Sequence, residues 1–173
     1  NGVVSGISYY GNCIGIPNVG GEIYFSKTYE GNPLVNAMCV GIIKNNKIMS
    51  AKADQAGDLL VLVGSDTGRD GIHGASGLAS KTFQEQDELR SAVQVGNPFL
   101  EKILIESCLE AIKLKEVVGL QDCGAAGITS AAIEMAERSK LGLMIDVSKI
   151  PQRESQMNAY ELMLSESQER MLL

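Results

Sequence analysis

A chain of 173 residues is long enough for one domain with a sizeable core, or for one domain and part of a neighbour. Its hydrophobic share of 45% and charged share of 21% are those of a globular protein, and no apolar run approaches the roughly 18 residues of a membrane span. A net charge of −6 argues against a general nucleic-acid binder, which needs a basic face; the single histidine, with four cysteines in no Cys-x-x-Cys pair, argues against zinc.

The opening, Asn1-Gly2-Val3-Val4, lacks the basic and apolar pattern of a signal peptide. Residues 1–36 are rich in glycine and asparagine without a helical period, so they read as loops and short extended pieces. A self-contained domain seldom begins with that much loop, so this stretch reads as the tail of a preceding domain. Apolar runs at residues 38–43 and 47–51 flank Asn45-Asn46, which tolerates a left-handed turn, and predict a β-hairpin. A turn over residues 54–57 leads into a buried strand at residues 58–63.

That strand runs into residues 64–77, GSDTGRDGIHGASG, around which the chain is arranged. Glycine lets a ligand approach the backbone and lets amide donors face an anion. The spacing is neither that of a P-loop nor of the dinucleotide fingerprint, and pattern alone leaves a structural turn and a ligand loop equally open.

Residues 84–89 are polar and read as exposed. Residues 93–98 form a short strand or loop leading to a helix over 99–116, whose apolar Leu100, Ile103, Leu104, Cys108, Ala111 and Ile112 follow the helical spacing. Residues 121–127, QDCGAAG, make a second glycine-rich turn. Thr129 or Ser130 is placed to cap the next helix, which stops by Gly142. Residues 143–147 read as a strand, Asn158 as the cap of a short helix through Leu164, and residues 170–173 as a final strand. Alternating strands and helices give an α/β or α+β class, and both ends of the chain read as cut.

Four segments together resemble the large subunit of phosphoribosylformylglycinamidine synthase, an enzyme of purine biosynthesis. They are residues 64–76 (GSDTGRDGIHGAS), 93–102 (VQVGNPFLEK), 121–128 (QDCGAAGI) and 160–171 (YELMLSESQERM), and residues 10–22 and 31–41 fit as well. The resemblance spans essentially the whole chain. It implies a three-layer α/β (α+β) domain around a mixed sheet, similar to the C-terminal domain of aminoimidazole ribonucleotide synthetase. Residues 1–50 would be the end of a preceding nucleotide-binding domain and residues 51–173 most of the second domain. The family's upstream catalytic motif, with a histidine and an ATP-contacting lysine, is absent, so no catalytic residue is assigned here.

The reaction implied is the ATP-driven conversion of formylglycinamide ribonucleotide to formylglycinamidine ribonucleotide, with glutamine-derived ammonia and magnesium. The family's partners would be a glutaminase subunit and a small bridging subunit, in the cytoplasm, with neither nucleic acid nor membrane. By resemblance Gln94, Glu166, Ser167 and Gln168 fall where the family holds substrate, and Asp122 where it holds magnesium. Each has a plainer reading beside it. Gln94 can tie its own loop, residues 166–168 can cap a helix end, and Asp122 can accept donors within its turn. Cys123 reads as a small buried hydrophobe rather than a nucleophile. It stands where the family more often has a bulkier apolar residue, and Asn97 stands where the family usually has aspartate. The lone His73 reads as structural. Arg69 and Asp70 read as paired with each other or with a neighbouring domain, with direct ligand contact as the alternative. A non-catalytic module that packs domains or holds a nucleotide is the second reading of the whole chain.

Overall fold

The computed structural model describes residues 1–31, 33–72 and 94–173. His73, Ser76 and the polar residues 84–89 lie outside them. Among the described residues, four α-helices and three short strands are set out in chain order. Helix α1 covers Gly2–Ile14 and strand β1 covers Leu62–Gly64. Then come α2 at Pro98–Ala111, β2 at Gln121–Asp122, α3 at Gly127–Ser139, α4 at Ala159–Leu164 and β3 at Arg170–Leu172.

The strands form one sheet in the order β1-β3-β2. Both ladders are antiparallel: Leu62, Val63 and Gly64 face Leu172, Met171 and Arg170, while Gln121 and Asp122 face Leu172 and Met171. The α+β class is therefore as expected. Among the described residues the parallel component is a single bridge between Thr67 and Gln152, outside the sheet. The ladder of β1 extends beyond its ends, since Val61 and Leu173 exchange two backbone hydrogen bonds of 2.8 and 2.9 Å and Ser65 N donates to Glu169 O.

The core lies where α3 and α4 cover the sheet. On α3, Ile128, Ala131, Ala132 and Met135 recur at helical spacing and are all buried. The two alanines, at 0% exposure, let the helix sit close against its neighbours. Leu162 of α4, Leu172 of β3, Cys123, Ile150 and Met157 complete the cluster. Asn158 caps α4 with a full capping box: its side chain accepts from Glu161 N, and the Glu161 carboxylate accepts from Asn158 N. Asn97 caps α2 one way only: its side chain accepts from Leu100 N, and leucine at that position returns no bond.

Four local expectations fail, each for a physical reason. Residues 2–14 are helical rather than loop. Val3, Ile7, Tyr10 and Ile14 carry a helical period that three glycines conceal, and α1 is held by packing on α2 rather than by propensity. The hairpin over residues 38–51 does not form. Ile42 and Met38 are almost fully exposed, no strand lies beside them among the described residues, and a 3-10 turn occupies Asn45–Lys47. Residues 143–147 form no strand: Asp146 caps a 3-10 turn at Val147–Lys149, and Ile145 and Val147 pack on the core while Met144 stays 97% exposed. The strand at 58–63 shrinks to β1, on the sheet edge and only partly buried.

Helix α3 also lacks the expected side-chain cap. It starts from Ala126 in the left-handed region. Thr129 Oγ1 donates to Met163 O, and Ser130 Oγ donates to backbone carbonyls at Ala125 and Gly127.

All four cysteines are free thiols. Cys108 and Cys123 are buried, and Cys123 is pushed up to about 11, first by desolvation and then by the Asp122 carboxylate, against the opposing charge of Arg170. Burial also raises Cys108, with a contribution from Glu101. Because the thiolate is the reactive form, Cys39, which is exposed, should react first with a thiol reagent such as DTNB at pH 8. Cys108 and Cys123 should react only on unfolding. A fast Cys123 in a single-cysteine series would overturn its place in the core.

Candidate functional site

The first part of the glycine-rich loop, residues 64–72, wraps around residues 165–169, the connection between α4 and β3. Two hydroxyls and an amide hold the contact. Ser165 Oγ donates to Gly68 O at 2.6 Å, Gly68 N donates to Ser167 Oγ at 2.9 Å, and Glu166 N donates to Asp70 O at 2.7 Å. Ser167 Oγ donates onward to the Asp70 carboxylate, which also meets Arg153 at 2.7 Å. Thr67, Ser165 and Ser167 are the largest fully buried side chains, so this seam is polar, closed to water and satisfied.

Arg69 and Asp70 thus pair within the chain, but not with each other. Arg69 forks onto Glu161 at 2.8 Å and Glu154 at 3.1 Å and reaches the Gln156 carbonyl. Hydrogen bonds to the two carboxylates raise Arg69, and the Arg69 contact lowers Glu161.

Three of the residues expected to meet substrate come together. Gln94 Nε2 donates to Glu166 Oε2, and Gln168 Nε2 donates to Gln94 Oε1 at 2.7 Å and to Glu166 O at 3.0 Å. The other Glu166 oxygen accepts from Ala126 N at 2.9 Å, ahead of α3. Gly71 closes against this cluster. A Cβ there would stand 2.7 Å from Glu166 Oε2 and 2.9 Å from Gln94 Nε2, with φ at +61°. Gln94 is exposed and Gln168 half-buried, so amide groups remain open to solvent beside a fixed carboxylate. Ser167, at 1% exposure, faces the Gly68–Asp70 seam instead.

Asp122 stands across from Gln168 in a cleft of about 210 Å³, whose walls include Tyr10, Glu101, Gly124 and Glu169. It is exposed on an edge strand, and its recorded hydrogen bond is a long one, 3.3 Å from Gln121. The Glu169 carboxylate is committed, accepting from Tyr10 Oη at 2.7 Å and Asn97 N at 2.9 Å. Desolvation, then the hydrogen bond to Glu169, pushes the Tyr10 phenol well above its usual value. Glu101 is raised by burial and then by the Glu169 charge. No group of three His, Cys, Asp or Glu among the described residues forms a metal cage. Asp122 still fits magnesium, which keeps several waters and takes one or two carboxylates beside substrate phosphates. The carboxylate is open, bound to no cation among the described residues, and backed by a glycine whose Cβ would already lie 3.0 Å from Asp122 Oδ2.

The seam, the amide cluster and the acidic cleft all lie on one α+β framework, and comparison with known proteins gives the framework its class. The chain belongs to the AIR synthase related proteins: the model of their C-terminal domain matches residues 55–173, and that of their N-terminal domain matches residues 1–43.

Within this family it is similar to phosphoribosylformylglycinamidine synthase subunit PurL of Carboxydothermus hydrogenoformans. The two are 55% identical over 172 residues, covering 99% of this chain and 24% of the relative. Among solved structures it resembles Thermotoga maritima PurL complexed with FGAR, with TM-score 0.89 and 44% identity over 99% of this chain and 28% of that one. The same protein complexed with ATP gives TM-score 0.82 at 40% identity, over 99% and 26%. The PurLQS structure from T. maritima gives 0.84 at 39% identity, over 100% and 27%. The chain therefore spans about a quarter of the length of the relatives it matches.

Sequence reasoning missed Tyr10, Glu101, Glu169 and Arg170. The signal for Glu169 and Arg170 was their place directly after residues 166–168. Tyr10 stood at the start of a segment that fits the family, but the helix that aims it was not legible.

Proposed function

We propose that this chain supplies one wall of the active site of an ATP-dependent carbon–nitrogen ligase. The ligase would convert formylglycinamide ribonucleotide, ATP and ammonia to formylglycinamidine ribonucleotide, ADP and phosphate. The observation that carries this reading is the meeting of Gln94, Glu166 and Gln168 in one hydrogen-bonded cluster beside the cleft that exposes Asp122. The likeness to PurL complexed with FGAR and with ATP supports the choice of substrates.

In this reaction the amide oxygen of the substrate attacks the γ-phosphorus and ADP leaves. Ammonia then adds to the activated carbon, and phosphate departs with the oxygen. Beyond the bonds within the cluster, Gln94 keeps one N–H donor and a carbonyl lone pair and Gln168 keeps its carbonyl oxygen, which suits the hydroxyl and amide groups of the ribonucleotide. Glu166, fixed by Ala126 N, holds Gln94 in one orientation and leaves less freedom to be lost on binding. Ser167 acts by fastening the Gly68–Asp70 seam beneath them. Magnesium would be held through Asp122 and would neutralise phosphate charge. No further step is assigned to the metal.

We place the boundary between the two domain types near residue 50. The ammonia would come from a glutaminase subunit with a small bridging subunit alongside, a reading that the likeness to PurLQS supports. No helix among the described residues is long and apolar enough to cross a membrane, and a cytoplasmic setting suits an ATP-fed biosynthetic step.

The test is made in the whole enzyme. Gln94→Ala and Gln168→Ala should each raise KM for formylglycinamide ribonucleotide roughly 5- to 10-fold, the worth of a hydrogen bond of about 1 kcal/mol. KM for ATP should stay within twofold. An unchanged substrate KM in both variants would favour the non-catalytic module.

A further inference from the structure

We propose that Arg170 is a positioning residue that sets the backbone of residues 165–168, and through it the substrate-facing Glu166 and Gln168; this rests on the reading of the site given above. Arg170 is 3% exposed. Its main chain belongs to the sheet, opposite Gly64, and its carbonyl accepts from Cys123 N at 3.1 Å. Its side chain folds back along the connection it has just left. Nε donates to Ser167 O at 2.9 Å, Nη2 to Ser165 O at 2.5 Å, and Nη1 to Thr67 Oγ1 at 2.9 Å.

One guanidinium thus spans the carbonyls on both sides of Glu166 and pins them to the glycine-rich loop. With the carbonyls of 165 and 167 fixed, the peptide planes flanking Glu166 are fixed too. The Glu166 carboxylate then sits between Ala126 N and Gln94, and Glu166 O accepts from Gln168.

Stability alone does not account for this arrangement. Arg170 makes no salt bridge among the described residues, and desolvation lowers its pKa. A buried charge held by neutral carbonyls bears a desolvation penalty that an apolar chain of similar volume avoids. What the guanidinium adds is geometry: a planar fork reaching three separate acceptors, which a lysine ammonium cannot reproduce from a single nitrogen.

The experiment compares Arg170→Lys, Thr67→Val and Gln94→Ala in the whole enzyme, reading KM for formylglycinamide ribonucleotide, KM for ATP, kcat and unfolding temperature. Arg170→Lys keeps the buried charge and most of the volume, and should raise the ribonucleotide KM about tenfold with the ATP KM unchanged. Thr67→Val removes only the acceptor of Nη1 and should move the same constant in the same direction by about threefold. A lower unfolding temperature in both variants with neither KM moved would make Arg170 merely structural and overturn the proposal. Gln94→Ala separates the two failures. If it raises the ribonucleotide KM while Arg170→Lys does not, the positioning role is wrong and the site stands. If it leaves that KM unchanged, the site reading fails and the proposal fails with it.

Discussion

Asparagine in place of Asp122 is expected to reduce turnover of the whole enzyme by on the order of 10²-fold, the scale seen when one electrostatic stabiliser is removed. The carboxylate is exposed in a cleft it shares with Glu101, Glu169 and Gln168, and no arginine or lysine among the described residues pairs with it. The amide keeps the shape and the contact with Gln121 but removes the charge that would offset a divalent cation. The magnesium requirement should rise accordingly. Folding should be almost untouched, because Asp122 is exposed on the edge strand β2, whose pairing with Met171 is made by the backbone. The measurement is turnover against magnesium concentration at saturating ATP and ribonucleotide. A wild-type curve would mean that Asp122 is only part of its turn.

A large loss of stability is expected from Gly127→Ala. Gly127 has φ at +55°, and an alanine Cβ there would stand 1.9 Å from Ser165 O and 3.3 Å from Arg170 Nη2. The left-handed conformation alone costs an alanine about 1–2 kcal/mol. The collision is with backbone, so no rotamer change relieves it, and either the start of α3 or the Ser165 carbonyl must shift. A total of about 3 kcal/mol or more follows, in the range of strained backbone and overpacked cores. It should appear as a lower unfolding temperature together with a raised ribonucleotide KM, because Ser165 O is one of the anchors of the connection proposed to face substrate. An unfolding temperature equal to that of the parent protein would show that the carbonyl yields easily.

What could be read from the sequence was what local chemistry decides. Asn158 marked the cap of a short helix, the period read over residues 99–116 marked a helix that in fact ends at Ala111, and the family motif marked Gln94, Glu166 and Gln168, which the fold then brought into hydrogen-bonding contact. What could not be read depended on partners distant in sequence. Helix α1 has poor intrinsic propensity and forms against α2, so its Tyr10 reached the cleft unannounced. The apolar run at residues 38–43 has strand composition without a strand to join. Ser167 matched the motif, yet its hydroxyl points into the seam rather than the cleft. A motif fixes position along the chain, and alternate residues of an extended connection face opposite ways.

The order of the sheet bears on how the protein is made. Its middle strand is the one synthesised last of the three, and among the described residues β3 is the partner of both β1 and β2. The same few residues close the seam over the glycine-rich loop, complete the amide cluster and supply Glu169 to the cleft. Contacts of such long sequence separation form slowly, since chain entropy is lost before the contacts compensate for it. Until Leu172 has left the ribosome, Leu62 and Val63 present an unpaired edge and α3 covers an unfinished core, a state open to wrong association. Helices α2 and α3 can form early from local contacts alone. The seam, the amide cluster and the cleft are therefore completed late and together, when a single short strand slides between two that have been waiting for it.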